Sequence, residues 1–176
     1  MLVFPHEFVN FINTWIYSCM PNVNHKFEVP SFSFQSIAVR DIKELFLPYC
    51  QLHRTKAERQ TDLAPYGFSC HCSACVNATP ATDTLRKTFR DQILCHDAWI
   101  KQPEWTGAIL PSALLLEEAM VAEGLDCEDE FFTLLTVIYV SFSRLGKRAE
   151  MAKYHKRITE YYKIHIDDEA FPLLDF

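Results

Sequence analysis

Glycine is scarce. The chain of 176 residues holds four, Gly67, Gly107, Gly124 and Gly146, and no two are close together. A phosphate-cradling loop needs glycines a few residues apart, so neither usual kind of Gly-rich nucleotide loop can be written. Basic charge is scarce as well: 17 Lys and Arg stand against 23 Asp and Glu, for a net charge of -6. That balance offers nucleic acid no basic face and suits instead a protein substrate with basic tails. Long apolar runs are missing, so no membrane span is expected. The opening "MLVFPHEFVNFIN" lacks the basic region and small-residue cleavage site of a secretory signal.

What is present is 49% hydrophobic and 23% charged, enough for one ordinary core with a small appendage and too apolar for global disorder. Seven cysteines without a secretory signal point to a reducing intracellular compartment, nucleus or cytoplasm. There, clustered cysteines bind metal more often than they form bridges.

The chain changes character along its length. "EFVNFINTWIY" fits a short helix or a strand. "NVNHKFE" and "SFSFQSIAV" read as two strands joined by a turn, with Phe32 and Phe34 alternating against Ser31, Ser33 and Gln35. Pro48 interrupts the apolar run "LFLPYCQL". "TKAERQTDLAPY" favours helix up to Pro65, and "VNATPATD" reads as a linker.

From Asp83 the pattern predicts four helices. Thr82 or Asp83 caps the first, with Leu85, Phe89, Ile93 and Leu94 on one side. Pro111 and Ser112 open the second and Gly124 closes it; the third, rich in acids at its start, ends at Gly146. In the fourth, Ala149, Ala152, Ile158 and Tyr162 are expected to face inward. The small residues of the last pair suit a tetratricopeptide-like packing, against which stands a generic helical bundle.

"YGFSCHCSACVNA" carries the chemistry. Cys70, Cys72 and Cys75 put three thiols on one tight turn. A structural zinc takes four ligands in a tetrahedron, so a fourth must come from elsewhere in the chain. His71 lies between two of the cysteines and is expected to point away. Spacing alone leaves Cys19, Cys50, Cys95, Cys127 or a histidine as the fourth. The plainer reading is three buried thiols in a zinc-free helical domain with a short β appendage.

"YSCMPNVNHKF", "IAVRDIKE" and "KAERQTDLAPYGFSCHCSAC" occur in that order. The series resembles the end of a SET domain and its post-SET segment, as found in protein-lysine methyltransferases of the SET-and-MYND type. The resemblance implies an α+β chain. Residues 1–63 would be the C-terminal part of a SET domain, a small β-rich remnant. Residues 64–80 would be the zinc-stapled post-SET segment, and residues 81–176 a mostly helical, tetratricopeptide-like region. It names Cys19, in "SCMPN", as the fourth zinc ligand with Cys70, Cys72 and Cys75. It implies transfer of a methyl group from S-adenosylmethionine to a lysine of a histone or other protein. Tyr49 would stand at the methyl-transfer end, and Tyr66 and Phe68 would wall the lysine channel. A protein partner in the helical groove is a further implication.

The chain departs from that family at three points, one being that "KELFLPY" is shorter than the usual Lys-Glu-Gly-Glu-Glu approach to the tyrosine strand. Ile16 and Tyr17 stand where an Asn-His pair usually precedes Ser-Cys; Asn13 is a displaced candidate. The Gly-x-Gly cofactor segment expected upstream is absent. The expectation is therefore that this chain alone binds the cofactor weakly or not at all. A non-catalytic, zinc-binding helical interaction module is the alternative.

Overall fold

A computed structural model describes residues 16–21, 23–27, 32–36, 46–48 and 50–165. The expected roles of Tyr49 and Asn13 fall outside them. The described chain is mostly helical and divides into two compact units, Met1–Ala78 and Thr79–Phe176.

Among its described residues the first unit carries four short strands. β1 (Ile16–Tyr17) pairs in parallel with β4 (Phe46–Leu47), with Ile16 opposite Phe46. Pro48 follows β4 directly and has no N–H to extend the ladder. β2 (Val23–Phe27) and β3 (Phe32–Ser36) form the antiparallel hairpin that the alternation predicted, with His25 opposite Phe34. Helix α1 (Lys56–Leu63) begins at a capping box: the Glu58 N–H donates to the Thr55 hydroxyl, and the Thr55 N–H donates to the Glu58 carboxylate. Pro65 then turns the chain into a short 3-10 segment, Ala64–Tyr66, closed by Gly67 at φ +71°. Only glycine takes that left-handed value without strain, and it separates Tyr66 from Phe68. The one-turn helix α2 (Ser73–Val76) completes the unit.

Among its described residues the second unit is four helices: α3 (Pro80–Ile100), α4 (Leu110–Ala122), α5 (Glu130–Arg144) and α6 (Arg148–His165). α5 packs against each of the other three, so its Leu134, Leu135 and Ile138 lie at the centre of the core with Phe89, Ile93 and Met120. Gly124 and Gly146 end helices as expected: the Leu125 N–H reaches back to the Met120 carbonyl and the Lys147 N–H to the Phe142 carbonyl.

Three expectations change. α3 starts earlier than predicted, because Thr79 and Thr82 cap each other and Pro80 takes the first helical turn, where its missing N–H costs nothing. Leu94 points outward, and the buried side of α3 holds Arg86 and His96 beside Phe89 and Ile93. On α6, Ala149 and Ala152 are exposed, while Tyr154, Ile158 and Tyr161 face inward. The inner side of that helix is aromatic rather than small, which removes the sequence argument for tetratricopeptide-like packing. No described helix is long and apolar enough to cross a membrane.

The buried charges of this unit, Arg86, Glu117 and Glu123, are paired. Arg86 is fully buried and forks onto the Glu123 carboxylate at 2.9 and 3.1 Å. Glu117 accepts from the Tyr154 hydroxyl and from Arg157. Burial, with Asp126 and Glu128 beside it, pushes the Cys127 thiol up to about 12, so it stays a neutral apolar side chain.

Candidate metal centre

Cys70 leads into the turn and Cys72 caps α2: its carbonyl accepts from the N–H groups of Cys75 and Val76, both at 2.9 Å. One helical turn thus sets Cys72 and Cys75 on the same side. Cys70 is fixed by its backbone. Its N–H donates to the Gln60 side-chain oxygen at 3.2 Å, and its carbonyl accepts from the same amide at 2.9 Å. Gln60 belongs to α1, so that helix clamps the turn.

Cys19 arrives from the loop after β1, where the Met20 N–H donates to the Ser18 hydroxyl and tightens the bend. Ser73 holds the two loops together by donating to the Met20 sulfur at 2.8 Å. Cys19, Cys70 and Cys75 are buried and Cys72 is half-buried. The four Sγ atoms all lie within 4.8 Å of one another, and Cys19 and Cys75 are 3.6 Å apart. Zinc–thiolate bonds of about 2.3 Å in a tetrahedron require sulfurs about 3.8 Å apart. Spacing and donor type therefore fit a structural zinc, and an all-sulfur set suits that ion better than harder cations.

Of the open candidates for fourth ligand, the structure brings in Cys19. Cys50 comes close, with its Sγ 3.7 Å from that of Cys19, but is not among the four mutually near thiols. Cys95 and Cys127 belong to the second unit. His71 is exposed and donates from Nδ1 to the Ser69 carbonyl, away from the sulfurs as expected.

The cluster divides its protons unevenly. Contacts from Cys50, then Cys72 and Cys75, and then burial push the Cys19 thiol up. Contacts with Cys19 and then Cys75 hold Cys72 far below the ordinary thiol value. Burial raises Cys70. Thiolates, not thiols, bind a cation, so loading the site releases the cluster's protons.

Of the channel residues, Tyr66 is 59% exposed and Phe68 is half-buried. Tyr66 lines an open cleft of about 610 Å³ with Pro48, Cys50, Arg54, Asp62 and Pro65. Arg54 and Asp62 form an ion pair across it at 2.6 Å. Sequence reasoning missed two parts of this region. Gln60 is one. The other is Arg59, wholly buried against the sulfurs, whose only signal was an arginine four residues before Leu63 on the apolar side of α1. No protein-family model matches this chain, and no curated protein matches it.

Proposed function

We propose that the first unit is the end of a SET domain with its post-SET zinc segment, in a protein-lysine methyltransferase of the SET-and-MYND type. The observation that carries this reading is Cys19. It lies 56 residues before Cys75 and is the ligand named by the resemblance, whereas spacing alone left several choices. Loaded with zinc, the site ties the strand region to the segment bearing Tyr66 and Phe68.

S-adenosylmethionine would supply the methyl group as an activated sulfonium. The chain's own part is to hold a lysine side chain in line and keep water away. The cleft beside the site has the surfaces for that. Pro48, Pro65 and the Tyr66 ring give apolar walls to the lysine stem, and the ring face favours its cationic end. Pro48 and Cys50, which flank Tyr49, both line the cleft; the role of Tyr49 itself rests on the resemblance. A protein partner at the helical second unit belongs to the same reading, as does a reducing compartment, nucleus or cytoplasm. The described cysteines are all free thiols.

Metal analysis and a methyl-transfer assay test the proposal together. The purified chain should hold one zinc, abolished by Cys72→Ser and strongly weakened by Cys19→Ser. Joined to a complete SET domain, this chain should methylate lysine in a basic peptide, and Tyr66→Ala should slow it on the order of tenfold or more while keeping its zinc. Calorimetric titration of this chain alone should show no micromolar binding of S-adenosylmethionine. A zinc-loaded protein of that kind that transfers no methyl group would sink the enzyme reading and leave the interaction module.

A further inference from the structure

Arg59 is the least expected side chain in the first unit. It is 0% exposed. Its Nη1 donates to the Arg54 carbonyl at 2.5 Å, its Nη2 donates to the Cys75 Sγ at 3.7 Å, and its Nε is buried with no partner. Among the described residues no carboxylate pairs with it. The contrast is Arg86, equally buried but forked onto Glu123. A buried guanidinium without a counter-charge is one of the costlier things a fold can contain.

The four cysteines raise the opposite problem. A divalent cation held by four thiolates leaves two net negative charges in a mostly buried corner. Local charges of that kind dominate a site's electrostatics. Among the described residues, the cation facing Cys75 and the anion formed by the loaded site each find their only counter-charge in the other.

We propose that Arg59 is the built-in counter-cation of the thiolate site: it neutralises one of the two negative charges of the loaded site and caps the Cys75 sulfur, and so governs how tightly the metal is held. This rests on reading the four cysteines as a metal site. Its geometry is set by α1. Thr55 starts the helix, Arg59 and Leu63 follow at four-residue steps on its buried side, and Gln60 beside Arg59 clamps the Cys70 backbone. One helix thus delivers both the charge and the clamp. The guanidinium donates to a sulfur that keeps lone pairs outside its metal bond, an arrangement that lowers the sulfur's reactivity toward electrophiles.

Zinc competition with a chromophoric chelator, run on the whole chain as wild type, Arg59→Met and Arg59→Lys, tests this. Arg59→Met keeps the volume and removes the charge, and Arg59→Lys keeps the charge. Arg59→Met should lose about 10- to 100-fold in zinc affinity, the usual effect of removing a group that supports metal ligands. Arg59→Lys should recover part of that loss. With cobalt(II) in place of zinc, all three should show the same four-thiolate absorption, because the ligands are unchanged. Zinc release on treatment with iodoacetamide should be faster in Arg59→Met. A wild type that takes up no metal removes the metal reading and this proposal with it. Wild type and Arg59→Met holding zinc equally well overturns the proposal and leaves the metal reading intact. Equal loss in Arg59→Met and Arg59→Lys assigns Arg59 to packing and overturns it as well.

Discussion

A single histidine shows how much one buried group can govern. His96 sits inside the helical unit with Nε2 3.0 Å from the Ser112 hydroxyl and Nδ1 buried without a partner. Burial holds its pKa below the ordinary 6.5. The unfolded chain takes up a proton at the ordinary value and the folded chain resists it. Stability is therefore complete above pH 6.5 and falls as pH drops from there toward the folded value. Each unit of displacement is worth about 1.4 kcal/mol at low pH. Denaturation midpoints at about pH 7.5 and about pH 5.5 should differ in the wild type, and His96→Gln should narrow the gap; an unchanged gap assigns the acid loss elsewhere. His96 was not legible in the sequence as a core residue. Histidine reads as polar, and only the three-dimensional placement of α3 puts it on the same side as Phe89 and Ile93. Cys19 was legible for the opposite reason. Its neighbours Ser18, Pro21 and Asn22 complete a recognisable pattern, whereas its distance from the other cysteines said nothing.

At the scale of elements, the helices were the readable part. α4, α5 and α6 lie within a few residues of where apolar spacing and terminal glycines put them. Their inner sides were less readable. On α6, alanine was expected inside because it packs closely, but Tyr154 and Tyr161 were taken in because each finds a partner for its hydroxyl, Glu117 and the Glu128 carbonyl. The hairpin was readable from strict alternation, and the two-residue strands were too short to leave a period at all. α1 matters beyond its eight residues, since a helix that short is marginal without its cap. Thr55→Ala removes the capping hydroxyl and should cost about 1 kcal/mol. Because α1 presents Arg59 and Gln60, the same change should weaken zinc binding a few-fold. Chelator competition together with a denaturation curve checks both, and an effect on stability alone would separate the helix from the metal.

For the whole molecule, the division into two units predicts two kinds of stability. The second unit has a continuous apolar core around α5 and paired buried charges. The described part of the first is built from short elements around four sulfurs. A structural zinc contributes about 10–16 kcal/mol, as large as the roughly 5–15 kcal/mol that holds an ordinary domain together. Chelation should therefore open the first unit to proteases, with cuts between Thr55 and Ala78. The helices from Pro80 to His165 should survive and keep most of the helical circular dichroism. Mass mapping of a limited digest reads this directly, and simultaneous cutting of both units would refute the division.

The span between the first and last thiols also sets a clock. Cys19 leaves the ribosome 56 residues ahead of Cys75. At about 5–20 residues per second, the earliest ligand waits about 3–11 seconds before its last partner is synthesised. Throughout that interval it is an ordinary nascent thiol, open to oxidation or to the wrong sulfur, Cys50 nearest among them. A hairpin such as β2–β3 needs only about 1–10 microseconds to form, far less than that interval. The hairpin therefore has time to form before Cys75 is made, and a metal that needs all four thiols can close the site only afterwards.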